Sequence, residues 1–494
     1  MAGKELSVLM LSWEFPPRII GGISSHVYDL SGTLAQKGVE VHVVTCDFPG
    51  TPEYEEIGGA RVYRFESYKI PAYDFLSWVF SMNRNMAQRA IEVIDAHNGR
   101  IDIIHAHDWL VARAAVELRN LYEKPLVSTI HSTEWGRRGG IRNDYQRTIN
   151  DTERWLVSES SRVICCSNYM ADQICETLQA PREKVRVIRN GVDASKFNLD
   201  IDYEVVKRRF ANPGEKIVLF VGRLVHEKGV QVLIGAAPKV LSVLPNAKFI
   251  IVGEGGMKER LLKETWDFGI SHKVFFTGFL DEKTLTLLYK VSAVAVVPSL
   301  YEPFGITALE AMAAQVPLVV SDIGGLSEIV EHDTTGVKVY ADNSDSVAWG
   351  IIRVLTDEAY ASRLRRNAHR KIVDDYNWDR ISNETIETYY GAMTSAPQRP
   401  TTPPKVRLPR SEFERYPQGV RLLLCLLSLG AVDEESALSA EQISEILSMK
   451  LSTFRGLLRR LVQSGYVSAL RDDGRRSRYF LTKSGIVRVC SLFS

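Results

Sequence analysis

Glu302 and Glu310, with seven residues between them, flank a segment whose residue types can hold an anion and a polyol together. It runs Ser299-Leu300-Tyr301-Glu302-Pro303-Phe304-Gly305-Ile306-Thr307-Ala308-Leu309-Glu310-Ala311-Met312. A short apolar run, residues 293–297, precedes it, and an Ala/Met/Leu-rich helical pattern starts at Thr307. Strand, loop and helix are expected in that order, with Gly305 where the backbone approaches a ligand. Unsatisfied N–H groups at a helix start attract negative charge, so Gly305, Ile306 and Thr307 would face a phosphate. A carboxylate accepts hydrogen bonds from vicinal hydroxyls. Phosphate and polyol in one segment imply a nucleotide sugar.

The elements that must position these residues are legible as Val/Ile-rich runs spaced by helical sequence. Residues 6–11, 39–45, 101–105, 126–131 and 162–166 read as strands, with a Gly-Gly loop and a helix at 25–36 after the first. After Asn190-Gly191-Val192-Asp193 the pattern restarts with strands at 217–221, 248–252, 273–276, 293–297 and 318–321. Short buried-type strands alternating with helices imply an α/β fold of two doubly wound, Rossmann-like domains, with ligands at the carboxyl ends of the strands. The expected boundaries are 1–195 and 196–393, then a Pro-rich linker at 394–410 and a further module at 411–494.

Length excludes a single ordinary core, since the chain has 494 residues. The net charge of +1 implies no special partner for the chain as a whole. From Lys405 onward, however, 15 Lys/Arg stand against 9 Asp/Glu, a net +6, while the rest carries 46 against 51, a net −5. The six cysteines, Cys46, Cys165, Cys166, Cys175, Cys425 and Cys490, contain no C-x-x-C pair, so neither zinc spacing nor a disulfide framework is evident. The first apolar run is too short for a signal segment or a membrane span, and a cytoplasmic protein is expected.

The chain resembles the GT-B glycosyltransferases of family 4, including bacterial glycogen synthases, over roughly residues 5–393. The resemblance rests on Glu14-x-Pro-Pro with Gly21-Gly22, His105-Ala106-His107-Asp108-Trp109, Ser128-Thr129-Ile130-His131 and Asn190-Gly191-Val192-Asp193. It continues with Phe220-Val221-Gly222-Arg223, Glu227-Lys228-Gly229, Gly253-Glu254-Gly255 and the Glu302-x7-Glu310 segment. It implies a retaining hexosyltransferase using a nucleotide-diphosphate sugar, ADP- or UDP-glucose, with a glucan or other saccharide as acceptor. It implies no cofactor, no metal and no agreed protein nucleophile.

The physical reading agrees. Displacing a nucleoside diphosphate builds negative charge on the leaving phosphate, which fixed cations lower in energy. Arg223 can fork onto phosphate oxygens and Lys228 supplies a compact charge; each taken alone is equally a solvated loop cation. By the resemblance Glu310 holds the ribose hydroxyls, Glu302 the hydroxyls of the donor sugar, and His131 touches that sugar. Glu310 also complements a helix dipole, worth about 0.3–1 kcal/mol. Gly21 and Gly22 permit backbone approach to the donor or simply make a tight turn. His105, His107, Asp108 and His131 invite a metal, because H-x-H on a strand shares one face; the resemblance argues against it. Asp200-Ile201-Asp202 is a poor substitute for a metal motif, since it falls between the domains.

Some positions depart from glycogen synthases, which carry Lys-x-Gly-Gly-Leu followed by Asp. Ile19 takes the Lys position, with Arg18 beside it, and Ser25 stands where the Asp is expected. Gly21-Gly22-Ile23-Ser24-Ser25-His26-Val27 is similar to the wider family, including maltose-1-phosphate-forming synthases, which leaves glucan extension open but not glycosyl transfer.

The tail resembles a winged helix-turn-helix domain: a helix at 438–447, a second at 451–464, and a hairpin turning at 472–476. If it bound DNA, Ser452, Thr453, Arg455, Arg459 and Arg460 would face the groove, and Arg471, Arg475, Arg476 and Arg478 would meet phosphates. The alternative is a protein-interaction or dimerisation module. For the whole chain the competing reading is a DNA-binding regulator whose GT-B part senses sugar nucleotides.

Overall fold

The computed structural model describes residues 6–67, 74–395, 401, 403–404, 417–429, 431–447, 451–471 and 477–490. These fold as two units. The first comprises the described residues up to Ile164, Ile174–Arg186 and those from Thr385 onward; the second comprises Cys165–Gln173 and Val187–Glu384. No helix among the described residues is long and apolar enough to cross a membrane.

The first sheet has eight strands: β1 (Ser7–Ser12), β2 (Glu40–Cys46), β3 (Tyr54–Ile57), β4 (Ala60–Phe65), β5 (Ile103–His107), β6 (Leu126–Ile130), β7 (Arg162–Cys165) and β8 (Val185–Val187). Their order is β3-β4-β2-β1-β5-β6-β7-β8. β1 pairs in parallel with β2 and β5 and is buried along its length, as expected where helices cover both faces. Only the β3–β4 hairpin, at the sheet edge, is antiparallel among the described pairings, and periodicity did not announce it. The first long helix begins at Gly22 rather than Ser25. Gly21 is its N-cap in extended backbone, so Gly22, Ile23 and Ser24 are free to enter the first turn.

The second sheet has β9 (Lys216–Val221), β10 (Ala247–Val252), β11 (Val274–Gly278), β12 (Val294–Val297), β13 (Leu318–Ser321) and β14 (Val337–Val339), in the order β11-β10-β9-β12-β13-β14. All its described pairings are parallel. Val218, Phe249, Ile251, Val296 and Val319 make its core with helices Val230–Val243 and Ser344–Thr356. Those two helices meet at Gly235, where a Cβ would lie 2.7 Å from the Ser344 hydroxyl. Ser344 donates to the Val232 carbonyl at 3.0 Å, and the Asn343 side chain caps the second helix through the Ser346 N–H, a cap worth about 1 kcal/mol. This packing fixes the start of helix Val230–Val243, directly after Lys228 and Gly229.

The tail contains helices Gln418–Ser428, Ala440–Ile446, Leu451–Gln463 and Lys483–Cys490. It adds a small antiparallel sheet of β15 (Leu438–Ser439), β16 (Val467–Arg471) and β17 (Ser477–Leu481), in the order β15-β17-β16. Leu438 and Ser439 pair with Tyr479 and Arg478 instead of opening the helix, which starts at Ala440. The reason is a reciprocal cap. Gln442 N–H donates to Ser439 Oγ at 3.2 Å, and Ser439 N–H to Gln442 Oε1 at 2.8 Å. On the next helix Phe454, Leu457 and Leu458 are buried, while Arg455, Arg459 and Arg460 are exposed. The hairpin turn 472–476, with Arg475 and Arg476, lies outside the described residues, as do the side chains of Ser452, Thr453 and Arg471.

Candidate active site

In the second unit two strand ends lead to the segments that carry Arg223, Lys228 and Glu302. β9 leads to Gly222-Arg223 and a single turn at His226–Lys228, and β12 leads to the loop Pro298–Gly305. The two segments are stitched by backbone. Leu300 and Tyr301 N–H donate to the Glu227 carbonyl at 2.8 and 3.2 Å. Gly325 N–H donates to the Glu302 carbonyl at 2.9 Å, and Ser167 Oγ to the Pro303 carbonyl at 2.6 Å. Tyr301 OH donates to Gln173 Oε1 at 2.8 Å, fixing the other side of the loop.

The Glu302 side chain is 8% exposed, so its charge needs partners. Lys228 Nζ donates to both carboxylate oxygens, at 2.9 and 2.8 Å, and Ser299 Oγ adds a third bond at 2.9 Å. The sequence assigned Lys228 to the diphosphate and Glu302 to the sugar. The structure joins them in one ion pair. Both duties are compatible, because an ammonium has three protons and two are used on Glu302. Arg223 lies nearby, its Nη2 3.6 Å from Glu227 Oε1. The approach of the two loops depends on Gly229, whose φ is +68° and whose added Cβ would fall 1.8 Å from the Pro298 carbonyl oxygen.

Gly305 has φ +119° and opens helix Ile306–Ala313 with no side-chain cap, which leaves the first-turn N–H groups of Ile306 and Thr307 for an anion. Glu310 sits on that helix and accepts a hydrogen bond at 2.9 Å from Tyr289 OH. Burial, and then the Glu310 carboxylate beside it, push the Tyr289 hydroxyl well above its usual range, so it stays a donor. Sequence reasoning missed Tyr289 and gave Ser299, which heads the segment, no role. The available signal for Tyr289 was its place on the apolar face of a short helix, where a phenol must find a partner.

In the first unit Glu14 organises the glycine loop: Ile20 and Gly21 N–H donate to Glu14 Oε2 at 2.7 and 2.9 Å. Gly21 has an extended φ of −153°, so its small size rather than its backbone angle suits a ligand approach. His131 follows β6, and His107 ends β5; their Nε2 and Nδ1 are 3.3 Å apart. His105 is engaged at both nitrogens, with Tyr389 OH and Thr129 Oγ1, each at 2.8 Å. Burial lowers His105 to about 3 and holds His107 and His131 well below the ordinary imidazole range, so all three rings are neutral. Burial also raises Asp108 to about 7 and Glu153 to about 8, against the pull of Arg137 on both. Arg137 pairs with Glu134 and Glu153, each at 3.1 Å.

Comparison with known proteins agrees with this layout. Residues 20–196 match the family model "Glycosyltransferase Family 4", and residues 204–371 match "Glycosyl transferases group 1". An uncharacterized glycosyltransferase of Methanocaldococcus jannaschii is 40% identical over 393 residues, covering 78% of this chain and 99% of the relative. Glycogen synthase of Mycobacterium tuberculosis is 36% identical over 417 residues, covering 82% and 98%. Among solved structures, sucrose-phosphate synthase from Thermosynechococcus elongatus superposes with a TM-score of 0.69 at 23% identity, over 78% of this chain and 98% of that one. The catalytic domain of starch synthase IV from Arabidopsis thaliana, bound to ADP and acarbose, gives 0.65 at 17% identity, over 79% and 100%. At those identities the two structures speak for the fold alone.

Proposed function

The chain belongs to the GT-B glycosyltransferases of family 4 and group 1, and on that premise we propose that it is a retaining hexosyltransferase. Its donor is a nucleotide-diphosphate sugar, ADP- or UDP-glucose, and its acceptor a glucan or another saccharide. The observation that carries the proposal is the buried Glu302, held by Lys228 and Ser299, beside a helix start without a side-chain cap that bears Glu310. Glu302 accepts from the sugar hydroxyls, and Glu310, oriented by Tyr289, accepts from the ribose. Arg223, Lys228 and the N–H groups of Ile306 and Thr307 receive the diphosphate.

In the transfer step the bond from the anomeric carbon to the phosphate oxygen breaks and the acceptor oxygen bonds to the same face. The acceptor's proton passes to the departing phosphate oxygen, which becomes anionic as the bond lengthens. Cations and N–H dipoles fixed at that oxygen lower the barrier. The relative from Mycobacterium tuberculosis is named a glycogen synthase, which supports a glucosyl donor. The test is product mass analysis with malto-oligosaccharide and with glucose 1-phosphate as acceptors. A ladder of hexose additions marks glucan extension, and a single phosphorylated disaccharide marks the alternative. Neither product with any donor would reject transfer to a saccharide.

The tail is read as a winged-helix module that contacts protein. Its exposed Arg455, Arg459 and Arg460 keep the DNA reading alive. The full chain is expected to show no duplex-DNA binding at low salt. Salt-dependent binding that weakens in Arg459→Ala would establish the other reading.

A further inference from the structure

The sequence pointed to His105, His107, Asp108 and His131 as a cluster of metal-ligand types. The structure changes the membership. His105 leaves, because both of its ring nitrogens are hydrogen-bonded. His26 enters from helix Gly22–Gln36, and one ligand atom each from His26, His107 and His131 lie within 4.8 Å of one another. The separation of 3.3 Å between His107 Nδ1 and His131 Nε2 matches that of two nitrogens on one tetrahedral zinc, about 3.4 Å for Zn–N bonds of about 2.0–2.1 Å.

Two buried groups beside the cluster are unsatisfied. His107 Nε2, the ring nitrogen that does not face His131, and Asp108 Oδ1 have no hydrogen-bond partner among the described residues, and both side chains are almost wholly buried. The Asp108 carboxyl group accepts the backbone N–H of His131, which ties it to the segment that carries that ring. A second group of ligand types, Glu40, His42 and His97, lacks this quality. There the Arg61 guanidinium pairs with Glu40 and lies 3.4 Å from His97 Nε2, so a fixed cation already stands in the place.

We propose that His26, His107 and His131 form a binding site for a transition-metal dication of the zinc class, and that its occupation inhibits the enzyme by withdrawing His131 from the donor sugar. Three imidazoles with a fourth position for water suit zinc, copper(II) or cobalt(II) better than magnesium or calcium, which prefer oxygen. The inhibitory part rests on the reading of His131 as a donor contact; the site itself does not.

The test uses the full chain and cobalt(II). One equivalent is expected to give the intense visible bands of a four-coordinate site, displaced by zinc, and excess zinc is expected to raise the melting temperature. His26→Asn should lose both responses, and His97→Asn should keep them. X-ray absorption of the zinc-loaded wild type, which needs no variant to fold, should count three imidazole ligands. Absent bands, bands that survive His26→Asn or vanish in His97→Asn, or fewer than three imidazoles would each overturn the site. Zinc should also slow transfer reversibly, with recovery on chelation; unchanged transfer with bound zinc overturns the inhibitory role alone. A chain that binds cobalt as described yet transfers no sugar in either the metal-free or the metal-loaded form would refute the proposed function and leave the site standing.

Discussion

Lys228→Ala is expected to lower kcat by about 10²–10³-fold, the loss typical of removing one group that stabilises developing charge. Two effects contribute, and they can be separated. On the proposed reading the substitution removes a cation from the diphosphate, and it leaves the Glu302 carboxylate with Ser299 as its remaining side-chain partner among the described residues. An uncompensated buried charge costs about 3–5 kcal/mol when fully enclosed, and less here because Lys228 is 24% exposed. Adding Glu302→Gln neutralises that charge. The double variant should therefore regain thermal stability relative to Lys228→Ala, while its kcat stays low. Recovery of kcat together with stability would show that Lys228 serves only to neutralise Glu302. Steady-state kinetics and thermal melts of the single and double variants decide between the two.

Gly229→Ala should be the most damaging small substitution in the second unit. Its Cβ would lie 1.8 Å from the Pro298 carbonyl oxygen and 2.7 Å from the carbonyl carbon, both backbone atoms that cannot swing aside. The left-handed φ adds strain of its own. Together these should cost about 2–4 kcal/mol and push the Glu302 loop out of reach of Lys228. Gly269→Ala separates the two terms, because Gly269 has nearly the same φ, +69°, with nothing within 4 Å of its Cβ. That variant should lose only about 1–2 kcal/mol and keep donor binding. Chemical denaturation and nucleotide calorimetry read both quantities. Equal destabilisation of the two variants would contradict the close approach at Pro298.

How much of this was legible in the sequence depended on what kind of interaction fixed each feature. β1, β9 and β12 are largely buried, so they appear as short apolar runs and were found within a residue or two; β5, which carries His105 and His107, was placed two residues early. The β3–β4 hairpin was not found. Tyr54-Glu55-Glu56-Ile57 lies at the sheet edge, half in water, and a polar edge strand has no hydrophobic period to detect. The site residues were visible because Glu302 and Glu310 share one segment, and Arg223 and Lys228 another. Their pairing was not, since Lys228 and Glu302 are 74 residues apart and only the parallel order β9-β12 brings their loops together. His26 carried no signal of its own; it becomes a neighbour of His107 and His131 only once β1, β5 and β6 are set side by side. The helix read over 438–447 starts at Ala440, because a capping residue and a first-turn residue look alike until Gln442 closes the cap on Ser439.

The central claim is that the second unit holds a nucleotide-diphosphate sugar through Lys228, Glu302 and Glu310 and delivers its hexose to an acceptor. Acceptor-dependent release of nucleoside diphosphate, measured over a panel of ADP-, UDP- and GDP-sugars, tests it most directly. The account predicts turnover of a glucosyl donor by the wild type, with a raised KM for that donor in Glu310→Ala. Tight nucleotide binding without release from any donor would contradict it.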